Sequence, residues 1–325
     1  MNTIHTISNF NFNRDPVPYT VIGGRRKDRI RKYSSLLTIV LLNRAGKFDR
    51  EEIMSELQDS ESVEVLCVEG PRPPYDIESR SRRYPDVRFL LLKDEVTVGE
   101  RINLSFEEVK SRRVMVIWSD MRMVKSSVIP DLITHLKMGE SLCTVPLMKT
   151  ARAELIPTIM VPAFVGRRIT VVPWQRAETE MKSLFPFDFC GVYDRDKFLL
   201  IGGYDPEIGN PYWQKMDFGF RTFLWGEQIV CDTNLEVDYI GEVPLENSTP
   251  DASYKVFYLK NIAVKYKNSF GMLPLRRCLP YMFHSDTGPL YSLKEFLTAR
   301  KWIKENRMRF KRDSRNLVSR WEVPE

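Results

Sequence analysis

Residues 36–69 read LLTIVLLNRAGKFDREEIMSELQDSESVEVLCVE. From Leu36 to Leu42 every residue is apolar or β-branched, with no polar alternation. Such a run, stopped by Asn43-Arg44-Ala45-Gly46, predicts a strand covered on both faces, as in a parallel sheet. Ile53, Met54 and Leu57 then share one side of a helix whose other side is acidic. Val63 to Val68 is a second buried strand, closed by Glu69-Gly70-Pro71. Strand, helix and strand at this spacing make a right-handed βαβ unit with parallel strands.

The pattern continues outward. Val87 to Leu92 reads as a third strand. Gly99 opens a helix that runs to Val109, with Ile102, Phe106 and Val109 on one face. Val114 to Trp118 is a fourth strand, ended by Ser119-Asp120-Met121. The first half is therefore an open α/β sheet, and such sheets bind ligands at the carboxyl ends of their strands. Those ends carry Asn43 and Arg44, Glu69, and Ser119 and Asp120. No glycine-rich phosphate fingerprint follows the first strand, which argues against a dinucleotide site and a P-loop.

The chain has 325 residues, enough for a full core, and is 43% hydrophobic and 28% charged, the balance of a globular protein. Its net charge of +6 is uneven, with basic runs at Arg25–Lys32 and at Arg300–Arg320. That asymmetry suits an anionic partner such as a nucleotide diphosphate or a lipid headgroup surface. The basic runs lack aromatics at stacking spacing, so nucleic acid is not expected. Cys67, Cys143, Cys190, Cys231 and Cys278 are scattered and form no CxxC pair. This fits reduced thiols in a cytoplasmic protein. The N-terminus has no secretory h-region, and no apolar run is long enough to span a bilayer.

A helix is expected over Ser127–Leu136, and strands over Leu142–Leu147, Thr158–Pro162 and Arg168–Pro173. Further strands are expected at Ile229–Cys231 and Val237–Ile240. Between them lies Leu200 to Glu227, LIGGYDPEIGNPYWQKMDFGFRTFLWGE. Asp217 precedes an apolar-periodic run there, close to a helix N-terminus that favours an ionised acid. It reads either as a helix cap or as a general base beside Tyr212, Trp213 and Trp225, whose rings suit the apolar faces of sugars.

Taken in order, these elements resemble the family-2 inverting glycosyltransferases of GT-A fold, in the nucleotide-diphospho-sugar transferase superfamily. Leu41-Leu42-Asn43-Arg44 matches the end of the family's first strand, and Glu69 stands where an acid holds the donor's base or ribose. Gly99…Arg101-Ile102-Asn103 matches a Gly…Arg-Asn element, and Trp118-Ser119-Asp120 falls on the DxD motif. Gly202-Gly203-Tyr204-Asp205-Pro206-Glu207 matches the GGFDE turn, and Met216-Asp217 through Arg221 the acid-rich segment ahead of an Arg. The match covers roughly residues 36–230. Two positions differ from the pattern: Trp118 replaces the first Asp of DxD, and Met216 replaces a Glu.

The resemblance implies an α/β GT-A (Rossmann-like) open mixed sheet flanked by helices. It implies an inverting sugar transfer from a nucleotide-diphosphate sugar to an acceptor hydroxyl, with Asp217 as base. Asn43, Arg44, Glu69, Arg101, Asn103, Ser119 and Asp120 would hold the donor, and Tyr212, Trp213 and Trp225 the acceptor. A divalent cation, Mn²⁺ or Mg²⁺, would sit on Asp120, with His284 as a second candidate ligand. The rival reading is a catalytically silent protein of the same fold that binds nucleotide sugar or glycan.

Three segments are expected: an irregular lead-in at 1–35, the GT-A domain at 36–245, and a helical, basic C-terminal extension at 246–325. In the extension Leu293, Phe296, Leu297 and Trp302 face one way, and Arg300, Lys301, Lys304, Arg307 and Arg309 the other. That helix reads as docked on the core or as a peripheral anchor at the inner membrane face, beside a glycan or lipid-linked acceptor.

Overall fold

The structure, a computed structural model, describes residues 3–5, 16–24, 37–44, 51–58, 63–73, 75–123, 141–166, 168–285 and 287–322. The expected helix Ser127–Leu136 and the basic run Arg25–Lys32 lie outside these residues. The first seven strands are β1 (Thr3–His5), β2 (Tyr19–Gly23), β3 (Leu37–Leu42), β4 (Val63–Glu69), β5 (Arg88–Leu92), β6 (Arg113–Trp118) and β7 (Met121–Met123). They are followed by β8 (Cys143–Lys149), β9 (Leu155–Ile156), β10 (Ile159–Val165), β11 (Arg168–Trp174), β12 (Gly191–Asp194) and β13 (Ile229–Tyr239). The helices of the sheet region are α1 (Glu51–Gln58), α2 (Ile77–Arg83), α3 (Val98–Glu108), α4 (Arg195–Leu200) and α5 (Pro211–Leu224).

One mixed sheet runs β1-β2-β5-β4-β3-β6-β12-β8-β13-β7, with β9 beside β8. Its centre, β5-β4-β3-β6, is parallel. The six residues of β3 are all buried, which accounts for their unbroken apolar run. Burying each Leu, Ile or Val there stabilises the fold by roughly 1.5–3 kcal/mol. Strand β12 returns antiparallel between β6 and β8. Strands β10 and β11 leave the sheet as a separate hairpin, in keeping with the prolines that interrupt them.

Two expectations change. The lead-in is not wholly irregular, because Tyr19–Gly23 pairs antiparallel with β5. Tyr, Thr, Val and Ile suit a pleated edge, but a run this short is masked in the sequence by its flanking Pro and Gly. The two late strands are a single strand, β13, with a register shift between Asp232 and Glu236.

The C-terminal extension carries α6 (Ala252–Phe257), a π-helical turn at Tyr258–Ile262, and the hairpin β14 (Lys265–Lys267) with β15 (Phe270–Met272). Helices α7 (Cys278–His284), α8 (Pro289–Asn306) and α9 (Ser314–Ser319) complete it. Helix α8 buries Ser292, Phe296, Ala299 and Ile303, so it is docked on the protein. Trp302 of α8 stacks on Trp225 at 5.9 Å. Among the described residues no helix is long and apolar enough to cross a membrane.

Candidate active site

The chain leaves β3, builds β4 and β5 on one side, and then returns to place β6 on the other. Such a reversal opens a crevice at the carboxyl ends of the two diverging strands. Leu42 is level with Trp118 in the β3–β6 pairing and with Val68 in the β3–β4 pairing. The residues just beyond these pairs therefore converge. Asn43 donates from Nδ2 to Glu69 Oε2 at 3.5 Å. The backbone N–H of Arg44 donates to Ser119 Oγ at 3.2 Å. Glu69 is fully buried, and Tyr75 donates its hydroxyl to Glu69 Oε1 at 2.6 Å.

Arg44 is the centre of the cluster. Its Nε lies 2.9 Å from Asp120 Oδ2, and its Nη2 pairs with Asp188 Oδ2. Its guanidinium covers the Trp118 ring at 4.2 Å. The Trp118 indole N–H in turn donates to the Asp188 carbonyl at 2.8 Å. Tyr239, the last residue of β13, donates its hydroxyl to Asp188. Asp188 has a positive φ of 47°, a backbone conformation that a non-glycine residue adopts at a cost.

The electrostatics follow from this burial. Burial works against the charge of Arg44, but the Asp188 and Asp120 carboxylates outweigh it and hold the guanidinium above its ordinary pKa. Burial raises the pKa of Asp188 in spite of Arg44 and Lys215 nearby. Tyr239 is pushed up by burial and by the Asp188 charge.

A divalent ion does not fit these residues. The second oxygen of Asp120 is buried without a hydrogen-bond partner, which is one donor for a cation. The first oxygen already faces a guanidinium, whose charge would repel a dication beside it. Trp118 fills the place of a second acid, and Asp188 is engaged by Arg44 and Tyr239. His284, the other expected ligand, is exposed on α7, with Nδ1 at 2.7 Å from the Pro280 carbonyl. Among the described residues no group of three or more His, Cys, Asp or Glu suits a metal.

Asp217 also departs from its expected role. It is fully buried in the middle of α5, not at its N-terminus. Arg221 donates to one of its oxygens at 2.7 Å, and Asn261 donates to the other at 2.7 Å. Arg221 then donates to the carbonyls of Ile201 and Gly203. The pair locks α5 to the Gly202-Gly203 turn and to the C-terminal extension. So enclosed, the carboxylate has both oxygens taken and no surface open to an acceptor in this structure. The cap of α5 is Asn210 instead.

The Gly99 element is structural as well. The Asn103 amide clamps the backbone of Tyr204 in both directions, at 2.7 and 2.9 Å. The N–H of Gly99, the second residue of α3, is taken by Gln214, and a Cβ on Gly99 would lie 2.6 Å from Gln214 Cδ. Glycine is required by that close approach. Arg101 is turned to Glu95, which it reaches at 3.4 Å.

The aromatic residues divide. Tyr212 and Trp213, in the first turn of α5, line a groove of about 1060 Å³. Its other walls are β11, the loop ahead of α6, and α7, including His284. Trp225 lies elsewhere, between Trp302, Phe310 and Arg309. Lys215, buried on the same helix, pairs with Glu246, and its charge acts on Asp188. Glu246 in turn helps to push the Tyr212 hydroxyl, already raised by burial, up to about 12.

Asp188, Tyr239, Lys215 and Glu246 were not legible as site residues. The available signal was an acid between Phe187 and Phe189, where an apolar segment would otherwise have none.

No family model matches the chain, and no curated protein matches it. Among solved structures it is similar to GalNAc-T7 with UDP, GalNAc and Mn²⁺, at a TM-score of 0.53 and 12% identity, over 89% of this chain and 58% of that one. It thus spans less than two thirds of that structure's length. It is also similar to S. aureus TarS 1-349, at a TM-score of 0.48 and 13% identity, over 83% of this chain and 73% of that one. The same TarS fragment in complex with UDP-GlcNAc gives 0.47 and 13%, over 81% and 72%. At 12% identity the likeness to GalNAc-T7 speaks to the fold alone, and the fold is GT-A: a central mixed sheet flanked by helices.

Proposed function

We propose that the chain is a glycosyltransferase. In this reading it takes a nucleoside-diphosphate sugar in the crevice beyond β3 and β6 and an acceptor in the adjoining groove. The observation that carries this is the convergence of Arg44, Asp120 and Asp188 at the point where strand order reverses. A guanidinium presents several donors in a fixed plane, a geometry suited to phosphate oxygens. Arg44, about a third exposed at 29%, would meet the diphosphate in the role that a metal ion serves elsewhere. Asn43 and Glu69 would face the base or ribose, and Ser119 would fix the Arg44 backbone. Tyr212 and Trp213, in the wall of that groove, would flank the acceptor.

An inverting transfer needs a carboxylate on the acceptor side as general base, to take the hydroxyl's proton as the new bond to the sugar forms and the bond to the diphosphate breaks. Asp217 is sealed from that side, so the role falls to Glu246, beside Tyr212 and Lys215. Departure of the nucleoside diphosphate would then place negative charge on Arg44.

The second reading is a silent binder of nucleotide sugar, favoured by the enclosure of Asp217 and by Trp118 in place of an acid. One experiment separates the two. Thermal unfolding is followed with UDP, GDP and their sugars, and donor consumption is then measured with each stabilising donor. A ligand at a hundred times its Kd adds about 2.7 kcal/mol to apparent stability. Stabilisation with turnover that is lost in Glu246→Gln supports transfer. Stabilisation without turnover supports the silent binder. No stabilisation by any nucleotide overturns both.

A further inference from the structure

The groove beside α5 carries more charge than a neutral sugar needs. Arg168, Lys255 and Arg277 all line it, and Asp251 is the acid among its described lining residues. Asp251 is already committed. One of its oxygens caps α6 through the Tyr254 N–H at 3.2 Å, and the other accepts from Asn210 Nδ2 at 3.2 Å. The three cations meet only neutral partners among the described residues. Lys255 Nζ donates to Ser285 Oγ at 3.4 Å, and Arg277 Nη1 donates to the Ile262 carbonyl at 3.5 Å. Arg168 stands close enough to the Tyr254 hydroxyl for its charge to act there. Like charges that share one concavity repel each other, and an anion bound among them relieves that repulsion.

The rest of the lining is aromatic. Trp213 and Tyr254 lie 4.8 Å apart, and Tyr258 follows at 6.1 Å from Tyr254. Trp213 is 3% exposed, stacked on Phe257 at 5.5 Å with its indole N–H on the Thr249 carbonyl at 3.0 Å, so it backs the wall, while Tyr254 and Tyr258 are only half-buried. Rings of this kind accept the C–H faces of sugars, while cations accept phosphate or carboxylate. The volume of about 1060 Å³ stands at the upper end of small-molecule sites and exceeds a single sugar.

We propose that this groove binds an acidic carbohydrate chain, with sugar rings on Tyr254 and Tyr258 and an anionic substituent held by Arg168, Lys255 and Arg277. The proposal names the acceptor class for the glycosyltransferase reading, on which it rests for its role in transfer. The binding site itself needs no nucleotide.

Calorimetric titration of the full chain tests it with pentamannose 6-phosphate, neutral mannopentaose and an oligogalacturonate of similar length. UDP is titrated into the same preparation. At least one acidic chain is expected to bind about tenfold or more tighter than mannopentaose, a difference that shrinks with added salt. Arg168→Ala and Lys255→Ala are expected to remove most of that preference while leaving thermal stability and UDP binding unchanged. Tyr254→Ala is expected to weaken both acidic and neutral chains. Equal binding of acidic and neutral chains, no binding of any chain, or full binding by the Arg168 and Lys255 variants overturns the proposal. Acidic-chain binding without UDP binding sinks the donor reading and leaves the groove standing. UDP binding without acidic-chain binding does the reverse.

Discussion

Arg44 Nε and Asp120 Oδ2 lie 2.9 Å apart at the carboxyl ends of two adjacent parallel strands. Their meeting follows from the β3–β6 register, because each stands two residues beyond the level pair Leu42 and Trp118. The guanidinium thus has a fixed position between two acids, and the acids depend on it for neutralisation.

This arrangement predicts nucleotide binding that does not depend on a metal. EDTA is expected to change the Kd for UDP by less than about twofold, whereas Arg44→Ala is expected to weaken it about tenfold, the loss of one charge-assisted contact. The variant also leaves two buried carboxylates uncompensated, at a cost of about 3–5 kcal/mol in urea unfolding. Adding Asp188→Asn to Arg44→Ala should recover part of that stability. Loss of UDP binding on chelation, with recovery on adding Mn²⁺, would overturn the assignment.

Asp188 gives a pH dependence of definite sign. Burial raises its folded pKa above the unfolded value. Between the two values the native state binds more protons than the unfolded chain, so stability falls as pH rises through that window. The cost is fully present above the folded pKa and absent below the unfolded one. Urea unfolding from mildly acidic to neutral pH should show this decline in the wild type, set against Asp188→Asn as the reference. Parallel curves for the two proteins would remove Asp188 as the cause.

Asp217 and Arg221 form a buried pair on one helix, each at most 2% exposed. Asp217→Ala strands the guanidinium and is expected to cost about 3–5 kcal/mol. Asp217→Ala combined with Arg221→Met should be milder than the sum of the single changes, because neither charge is left alone. A fully stable Asp217→Ala protein that has lost only turnover would restore Asp217 to catalysis.

The parallel centre of the sheet was legible because burial on both faces leaves an uninterrupted apolar run, as in Leu37–Leu42. The crevice was legible for the same reason: topology alone places strand ends such as Asn43, Glu69 and Asp120 together. The job of each side chain was not. Asp217 and Arg221 are spaced i, i+4 on an apolar helix, the spacing of an ion pair as much as of a motif. Asp188 reaches Arg44 only through the β12 return, which no local pattern announces. Trp225 and Trp213 look alike in sequence, and their fates diverge because Trp225 packs half-buried against Trp302 of α8, while Trp213 is buried on Phe257 in the wall of the groove.

Lys260 ties the C-terminal extension to the sheet region. It reaches Asp205 and Glu207 of the turn ahead of α5, while its neighbour Asn261 holds Asp217. Burial works against the Lys260 charge, but Asp205 and Glu207 outweigh it and raise its pKa. That stabilisation is therefore complete below the ordinary lysine value and is lost only as pH climbs through the raised one. Lys260→Met leaves Asp205, 1% exposed, without its cation and is expected to cost about 3–5 kcal/mol at neutral pH. Asp205→Asn added to Lys260→Met should return much of the loss, since an amide tolerates the apolar neighbour better than a carboxylate does. A chain ending at residue 245 lacks both Lys260 and Asn261, so it should fail to give a cooperative urea transition. A cooperative, wild-type-like transition from that shortened chain would show that the sheet region folds without its extension.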